Sequence, residues 1–167
     1  MMGSSKLDFL IRKNKGKKVY NKYKQLFLDA GFVEKDIKYV DLETSDKIIA
    51  NIKQIFPPIE EKTEMLIDSE DTVSSKLLSI AFSGSDNLAE CYMFSDDYDI
   101  CGMYLAKSNF VEKFCLNVAK YGYSNTCFIV DENFKFSMTI NYDSIINSES
   151  IGSFDIHLKE NKRTIET

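Results

Sequence analysis

The sequence predicts an α+β fold of one domain, in which a mainly antiparallel sheet, built as a meander plus a C-terminal hairpin, packs with about three helices. Two patterns indicate this class. Apolar residues recur at helical spacing in three segments, and shorter segments bounded by turn residues are either apolar or alternate between apolar and polar residues. A chain of 167 residues with 44% hydrophobic and 13% aromatic residues can bury a core. We expect one domain over 1–167, with frayed ends at 1–16 and 160–167.

The N-terminal half contains two predicted helices. The first spans 17–30, because apolar residues recur there every three or four positions and Gly31 follows its end. The second is capped by Thr44 or Ser45 and ends at a Pro-Pro pair. Between them, FVEKDIKYVDL (32–42) alternates only in part, which is compatible with a short strand or a loop. The apolar stripe of the second helix consists of Ile48, Ile49, Ile52, Ile55 and Phe56.

Short apolar segments in the middle of the chain predict strands. EMLI (64–67) fits a short strand between acidic and hydroxyl-rich stretches. KLLSIAF (76–82), LAECYMF (88–94) and DICGMYLA (99–106) fit three consecutive strands, because polar turn sequences separate them. We therefore expect this region to supply the β-meander of the sheet.

The C-terminal half predicts one helix followed by strands. SNFVEKFCLNVAKYG (108–122) has a helical apolar stripe, with a capping box formed by Asn109 and Glu112. TCFIVDENFKFSMTI (126–140) predicts a hairpin, since an apolar strand is followed by a turn and a strictly alternating strand. SFDIHL (153–158) predicts a final edge strand.

Charge is distributed unevenly along a chain whose formal net charge is -5. Residues 1–38 hold ten Lys/Arg and four Asp/Glu, whereas residues 60–106 hold eleven Asp/Glu and two Lys. This asymmetry favours a surface with a basic and an acidic pole. The overall acidity and the lack of a nucleic-acid-binding motif predict no nucleic-acid partner. No apolar run approaches 18 residues and the N-terminus lacks a signal-peptide pattern, so we expect a cytoplasmic protein with no membrane partner.

The sequence contains no strong catalytic or metal-binding motif. The stretch FSDDYDICGMYL (94–105) resembles a calcium loop only in part, because Cys101 occupies a ligand position and Ser108 replaces the closing glutamate. The four cysteines are not spaced as zinc ligands, and nucleotide-binding and hydrolase motifs are missing. We therefore predict no catalytic residue, no metal site and no cofactor.

Two alternatives to a binding protein stay open. The first is a small enzyme with a carboxylate or Cys/His centre, in which Cys101 or Cys115 would work with His157, the only histidine. The second is a structural or regulatory subunit that docks on a partner through its isoleucine-rich helix. The contact residues of that helix would be Ile48, Ile52 and Ile55.

The segment NFVEKFCLNVAKYGYSNTCFIVDENFKFSMTINYDS (109–144) is similar to the helix-then-hairpin ending of small cytosolic immunity proteins. These proteins belong to bacterial polymorphic toxin and contact-dependent growth inhibition systems. The resemblance implies non-enzymatic neutralisation of a cognate toxin, often a basic nuclease, by blocking its active site or a nearby surface. It implies no individual contact residue, because such proteins vary most where they bind.

The residues themselves indicate where a basic toxin could bind. Acidic side chains speed association with a cationic cleft, and tyrosine or phenylalanine anchors supply much of the affinity. The alternative, in which the aromatic residues face the core and the acids are ordinary turn residues, stays open. The predicted contact residues are Asp86, Glu90, Tyr92, Asp96, Asp97, Tyr98, Asp99 and Tyr104.

Overall fold

A seven-stranded sheet organises the part of the chain that the computed structural model describes, which is residues 6–56, 63–67, 82, 89–143 and 153–161. In chain order the strands are β1 (Ile37–Val40), β2 (Thr63–Ile67), β3 (Glu90–Phe94), β4 (Met103–Lys107), β5 (Thr126–Asp131), β6 (Phe136–Asp143) and β7 (Ser153–Glu160). Across the sheet the order is β1-β4-β3-β5-β6-β7-β2, and every neighbouring pair is antiparallel.

Helices cover both faces of this sheet. The helices of the described residues are α1 (Lys6–Asp29), α2 (Leu42–Ile55), α3 (Tyr98–Cys101) and α4 (Ser108–Tyr121). A 3-10 turn at Glu34–Asp36 precedes β1. α1 and α4 lie on one face, and α2 lies on the other. The predicted single-domain α+β class with a mainly antiparallel sheet is therefore confirmed.

The larger core cluster lies between the sheet and the helices α1 and α4. α4 packs directly on the central strands through Val111, Cys115 and Val118, which are fully buried. α1 reaches the same core through Phe27, whose ring centroid lies 4.6 Å from that of Tyr104 in β4. Because alternate residues of each strand face these helices, the apolar positions of β3, β4, β5 and β6 all contribute to one core.

The isoleucine stripe of α2 packs against the opposite face of the sheet. Ile48 is buried, and Ile49, Ile52 and Ile55 are half-buried in a second cluster with Met103 and other strand residues. The stripe is thus covered by the chain's own sheet. The structure does not show a helix that offers Ile48, Ile52 and Ile55 to a partner, because these side chains pack against the sheet of the same chain.

α1 begins at Lys6, eleven residues before the predicted start at Lys17. The prediction of a frayed segment at 1–16 is wrong for residues 6–16, because tertiary contacts hold this part of the helix. The guanidinium of Arg12 bonds both carboxylate oxygens of Asp46 in α2, at 2.8 and 3.0 Å, and its Nε donates to the carbonyl oxygen of Asp99 at 2.8 Å. None of these contacts is visible in local helical spacing.

Both predicted helix caps are wrong. α2 is capped by Asp41, whose Oδ1 accepts the Thr44 backbone N–H at 2.9 Å, and not by Thr44 or Ser45. α4 has Lys107 at its N-cap position with no side-chain cap hydrogen bond, so the Asn109–Glu112 capping box does not form. Both helices occupy the predicted segments, so the error concerns only the first turn.

The predicted strands are largely confirmed, with three corrections. The stretch 99–106 is a strand only from Met103, since residues 98–101 form α3. β7 is not an edge strand, because β2 pairs along its outer side with Thr63 opposite Leu158. The predicted strand 76–82 lies outside the described residues except for Phe82, which is helical, contrary to the prediction. The Phe82 ring packs against that of Phe136 with centroids 5.3 Å apart.

Among the described residues, no helix is long and apolar enough to cross a membrane. The longest of them, α1, contains eight Lys or Arg and two Asp within its 24 residues.

Candidate functional site

The predicted acidic contact residues lie at the two ends of β3. Glu90 begins β3, whereas Asp96, Asp97 and Asp99 follow the last residue of that strand. At about 3.3 Å per residue, the strand places these two groups roughly 15 Å apart. Asp86 lies outside the described residues. The described acidic residues therefore form a cluster at one end of β3, with Glu90 at the other.

The predicted tyrosine anchors point towards the two cores. Tyr104 is 2% exposed and packs near the ring of Tyr23, so it offers no surface to a partner. Tyr92 and Tyr98 are half-buried against the α2 side of the sheet, where the ring of Tyr98 lies 5.1 Å from that of Phe94. Tyr104 is thus wrong as an anchor, because alternation along β4 directs it inwards.

Backbone hydrogen bonds hold the acidic cluster on a short turn, residues 95–99, which we call the acidic turn. The buried Ser95 N–H donates to Tyr23 Oη at 3.0 Å, and the Tyr98 N–H donates to the Ser95 carbonyl oxygen at 3.0 Å. Asp97 occupies the N-cap position of α3, but its carboxylate makes no cap hydrogen bond. The carboxylates of Asp96 and Asp97 are therefore positioned by the backbone and stay available to a partner.

A groove of about 260 Å³ lies beside the acidic turn, between it, the C-terminal half of α1 and the end of α4. Two tyrosines on its rim project into solvent: Tyr121 is 57% exposed and Tyr123 is 90% exposed. The groove therefore combines carboxylates with uncovered aromatic rings. The side chains that define this acidic groove are Lys22, Asp29, Asp96, Asp97, Tyr121 and Tyr123.

Sequence reasoning missed the two exposed tyrosines. Tyr121 fits the apolar stripe of α4, and this pattern predicts that it faces the core. α4 ends at Tyr121 and the chain turns at Gly122, which moves both Tyr121 and Tyr123 away from the sheet. The sequence feature that indicates their exposure is the tripeptide YGY at the end of a helix. Tyrosines on either side of a glycine that ends a helix need not follow the apolar stripe of that helix.

The basic segment lies next to the described part of the acidic segment. α1 carries eight of the ten Lys or Arg of residues 1–38 and packs directly on α3, which carries Asp99. Arg12 joins the two elements through the carbonyl oxygen of Asp99, and hydrogen bonding to Asp46 raises the pKa of its guanidinium. In the acidic groove, Lys22 Nζ lies 5.4 Å from the ring centroid of Tyr123. Three carboxylates against this one ammonium leave the acidic groove negative.

The Cys/His centre considered from the sequence does not form. All four cysteines are buried free thiols, and burial raises the pKa of Cys101 and of Cys115 to about 12. Thiols with such pKa values stay protonated and are poor nucleophiles at neutral pH. Both lie in the α1/α4 core, whereas His157 lines a cavity on the α2 side of the sheet. The sheet therefore separates His157 from both cysteines.

His157 is held by a carboxylate on its own strand. Its Nε2 lies 2.7 Å from Asp155 Oδ2, and its buried Nδ1 has no hydrogen-bond partner among the described residues. A histidine that activates a nucleophile needs a hydroxyl or thiol within hydrogen-bond reach of its free nitrogen. Thr139 is directly opposite His157 in the register, but no hydrogen bond joins their side chains.

The described residues contain no group of three or more His, Cys, Asp or Glu side chains that could hold a metal ion. The partial calcium-loop pattern around Asp97 and Asp99 fails in three dimensions as well, because α3 occupies the positions of the ligand loop. Comparisons with protein-family models, curated proteins and solved structures found no match.

Proposed function

We propose that this chain is a cytoplasmic, non-enzymatic binding protein of the immunity type, which neutralises a cognate basic toxin through the acidic groove. The observation that supports the proposal is the juxtaposition of Asp29, Asp96 and Asp97 with the exposed rings of Tyr121 and Tyr123. Surfaces of this composition suit a cationic partner. The carboxylates attract it, and the rings supply apolar contact area that is still open to solvent.

The two kinds of side chain have different physical roles in this proposal. Long-range attraction between the carboxylates and a basic surface raises the association rate and weakens as salt screens it. Tyrosine rings buried on binding slow dissociation, because they combine a large contact area with few rotatable bonds. An inhibitor of a nuclease would in this way place carboxylates where the nuclease binds phosphates.

The proposed contact set differs from the one that the sequence predicted. Asp96 and Asp97 are kept, and the exposed Asp99 adds to the negative field of the acidic turn. Tyr98 and Tyr92 are half-buried, so only part of each ring could contact a partner. Tyr104 is excluded by its burial, and Glu90 lies at the far end of β3. The residues added from the structure are Asp29, Tyr121 and Tyr123.

The test begins with a search for a basic toxin domain encoded beside the gene of this chain. Association of the purified chain with that domain is then followed by stopped-flow fluorescence at several salt concentrations. The double variant Asp96→Asn/Asp97→Asn keeps the shape of the acidic turn, because neither carboxylate makes a hydrogen bond that holds the turn. We expect association at low salt to slow by about tenfold and its salt dependence to flatten.

The matched control is Asp36→Asn/Glu160→Gln, which changes the net charge equally at positions outside the acidic groove. We expect it to alter the association rate by less than about twofold. Equal effects of the two double variants would show that only overall charge matters and that this face is wrongly assigned. A toxin domain that does not bind the unmodified chain at all would refute the proposed function itself.

A further inference from the structure

A second cavity, with a volume of about 500 Å³, lies between the N-terminal half of α1 and the segment that joins β1 to α2. We call it the α1–α2 groove. Small-molecule sites typically enclose about 300–1,000 Å³ and present mainly apolar and aromatic walls. Here Phe9 and Tyr20 of α1 face Tyr39 of β1, and Tyr20 and Tyr39 pack edge to face with ring centroids 5.2 Å apart.

Two glycines keep this groove preformed. A Cβ on Gly16 would overlap the carbonyl oxygen of Ile100, so α1 can approach α3 this closely only without a side chain at that position. Gly102 has a φ of 82°, in the region that favours glycine, and a Cβ there would overlap the carbonyl oxygen of Val40. The floor of the groove is thus fixed by backbone-to-backbone contact.

Positive charge lies on one wall of the groove and negative charge on the other. Lys13 and Lys17 are one helical turn apart on its α1 wall, and neither forms an ion pair with another described residue. The carboxylates on the opposite wall are engaged. Asp41 accepts the Thr44 N–H that caps α2, and Glu43 pairs with a lysine one turn further along that helix. An anion at the α1 wall therefore meets two ammonium groups that form no ion pair with a described carboxylate.

The buried hydroxyl of Tyr104 lies behind the aromatic wall of the groove. Tyr104 is 2% exposed, and its ring centroid lies 5.8 Å from that of Tyr39, a residue that lines the groove. The groups that influence it electrostatically include Tyr20, Tyr39 and Cys101, all of which line the groove. Burial, followed by the neighbouring Tyr20 hydroxyl, raises the pKa of the Tyr104 phenol, which keeps it a donor. The Tyr104 hydroxyl is sealed from solvent and is not among the groups that line the groove, so the groups available to a ligand are the rings and lysines of the lining.

We propose that the α1–α2 groove binds a small aromatic anion. Its ring would stack among Phe9, Tyr20 and Tyr39, and its phosphate or carboxylate would lie at Lys13 and Lys17. Aromatic side chains stack on flat rings of many kinds, and lysine binds phosphate as a point charge. Nucleoside monophosphates and aryl carboxylates share this chemistry. The site is separate from the acidic groove, which uses the other half of α1, so it does not depend on the proposed toxin partner.

The test is titration of the isolated, full-length chain with four probes: adenosine monophosphate, uridine monophosphate, indole-3-carboxylate and inorganic phosphate. Isothermal calorimetry gives the affinity, and amide NMR shifts report the location. We expect at least one aromatic anion to bind with a Kd below about 1 mM and at least about tenfold more tightly than inorganic phosphate. If only the nucleotides bind, the ligand is of the nucleoside monophosphate class. If only indole-3-carboxylate binds, the ligand is an aryl carboxylate.

Variants separate this site from general surface charge. Lys13→Gln/Lys17→Gln should weaken binding by at least about tenfold, whereas Lys15→Gln/Lys18→Gln, with the same charge change outside the groove, should weaken it by less than about twofold. The proposal is overturned if no aromatic anion binds below about 1 mM, if phosphate alone binds equally well, or if both double variants have the same effect. Circular dichroism of each variant confirms that the fold is retained.

Discussion

At the scale of single residues, one buried hydroxyl connects α1 to the acidic turn. Tyr23 is 2% exposed, and its Oη accepts the N–H of Ser95 at 3.0 Å. Burial raises the pKa of the Tyr23 phenol well above its usual range, so the phenol is neutral at neutral pH. The position of Asp96 and Asp97 therefore depends on a residue that is itself buried.

Replacement of Tyr23 by phenylalanine tests this connection. Tyr23→Phe keeps the ring but leaves the buried Ser95 N–H without an acceptor, which costs about 1–3 kcal/mol of the free energy of unfolding. Urea denaturation followed by circular dichroism measures it. Tyr121→Phe, which removes an exposed hydroxyl, is the control and should change stability by less than about 0.5 kcal/mol. Identical stability of Tyr23→Phe and the unmodified chain would contradict the expected role of this hydrogen bond.

At the scale of secondary-structure elements, the packing of α1 on α3 depends on the missing side chain of Gly16. Gly16 is buried in the helix interior, where glycine is normally unfavourable relative to alanine by roughly 0.5–1 kcal/mol. Here the lack of a Cβ allows the helix to contact the backbone of Ile100. The same contact brings Arg12 within reach of Asp99 and Asp46, so the two close approaches support each other.

The variant Gly16→Ala tests whether helix propensity or packing has the larger effect on stability at this position. Alanine favours the helix by at most about 1 kcal/mol, but overpacking against a backbone carbonyl costs about 1–3 kcal/mol or more. We therefore expect a net loss of stability, measured as a lower midpoint of urea denaturation. Asn14→Ala, at an exposed position of the same helix, should be neutral or slightly stabilising. A stabilised Gly16→Ala variant would show that α1 moves freely away from α3.

The types of most elements could be predicted from the sequence, but their boundaries and neighbours could not. Apolar periodicity is strong in α2, α4, β5 and β6, and these elements occur where it places them. A short segment such as YDIC does not distinguish a strand from a helix, and it forms α3. The position of β7 beside β2 was missed because strand order depends on contacts between distant segments, which local patterns do not encode.

At the scale of the whole molecule, the fold rearranges the charges that the sequence separates. Asp96 and Asp97 could be predicted as candidate site residues because their clustering is local. The partners that complete the acidic groove, Tyr121 and Tyr123, come from a segment that only tertiary packing brings close. Likewise, Tyr104 was misassigned because the sequence gives alternation along a strand but not which face of the sheet is covered.

The four buried thiols predict how the stability of the whole molecule depends on pH. A thiol ionises near pH 8.5 when the chain is unfolded, whereas burial raises the pKa of Cys115 to about 12 in the folded protein. The folded state therefore binds more protons between these values. Below about pH 8.5 each thiol is protonated in both states, and its full contribution to the free energy of unfolding is present. Above that pH, the free energy of unfolding falls by up to about 1.4 kcal/mol per pH unit for each thiol.

Urea denaturation at pH 7, 9 and 10 measures this dependence. We expect stability to fall over that range, and Cys115→Ala to show a shallower fall, because one of the four titrating thiols is missing. The unmodified chain and the variant are compared at each pH so that the effect of the lost side chain at pH 7 is subtracted. A stability that is unchanged from pH 7 to pH 10 would contradict the inferred burial of the thiols.

The pairing of β2 with β7 has a consequence for how the chain reaches its native state. Thr63 lies opposite Leu158, 95 positions later in the sequence. Joining such distant segments requires closure of a long loop, whose entropy must be overcome before the ladder gains any hydrogen bond. The β5–β6 hairpin, by contrast, closes within a few residues. We therefore expect the hairpin to assemble early and the β2 margin of the sheet to form last during refolding.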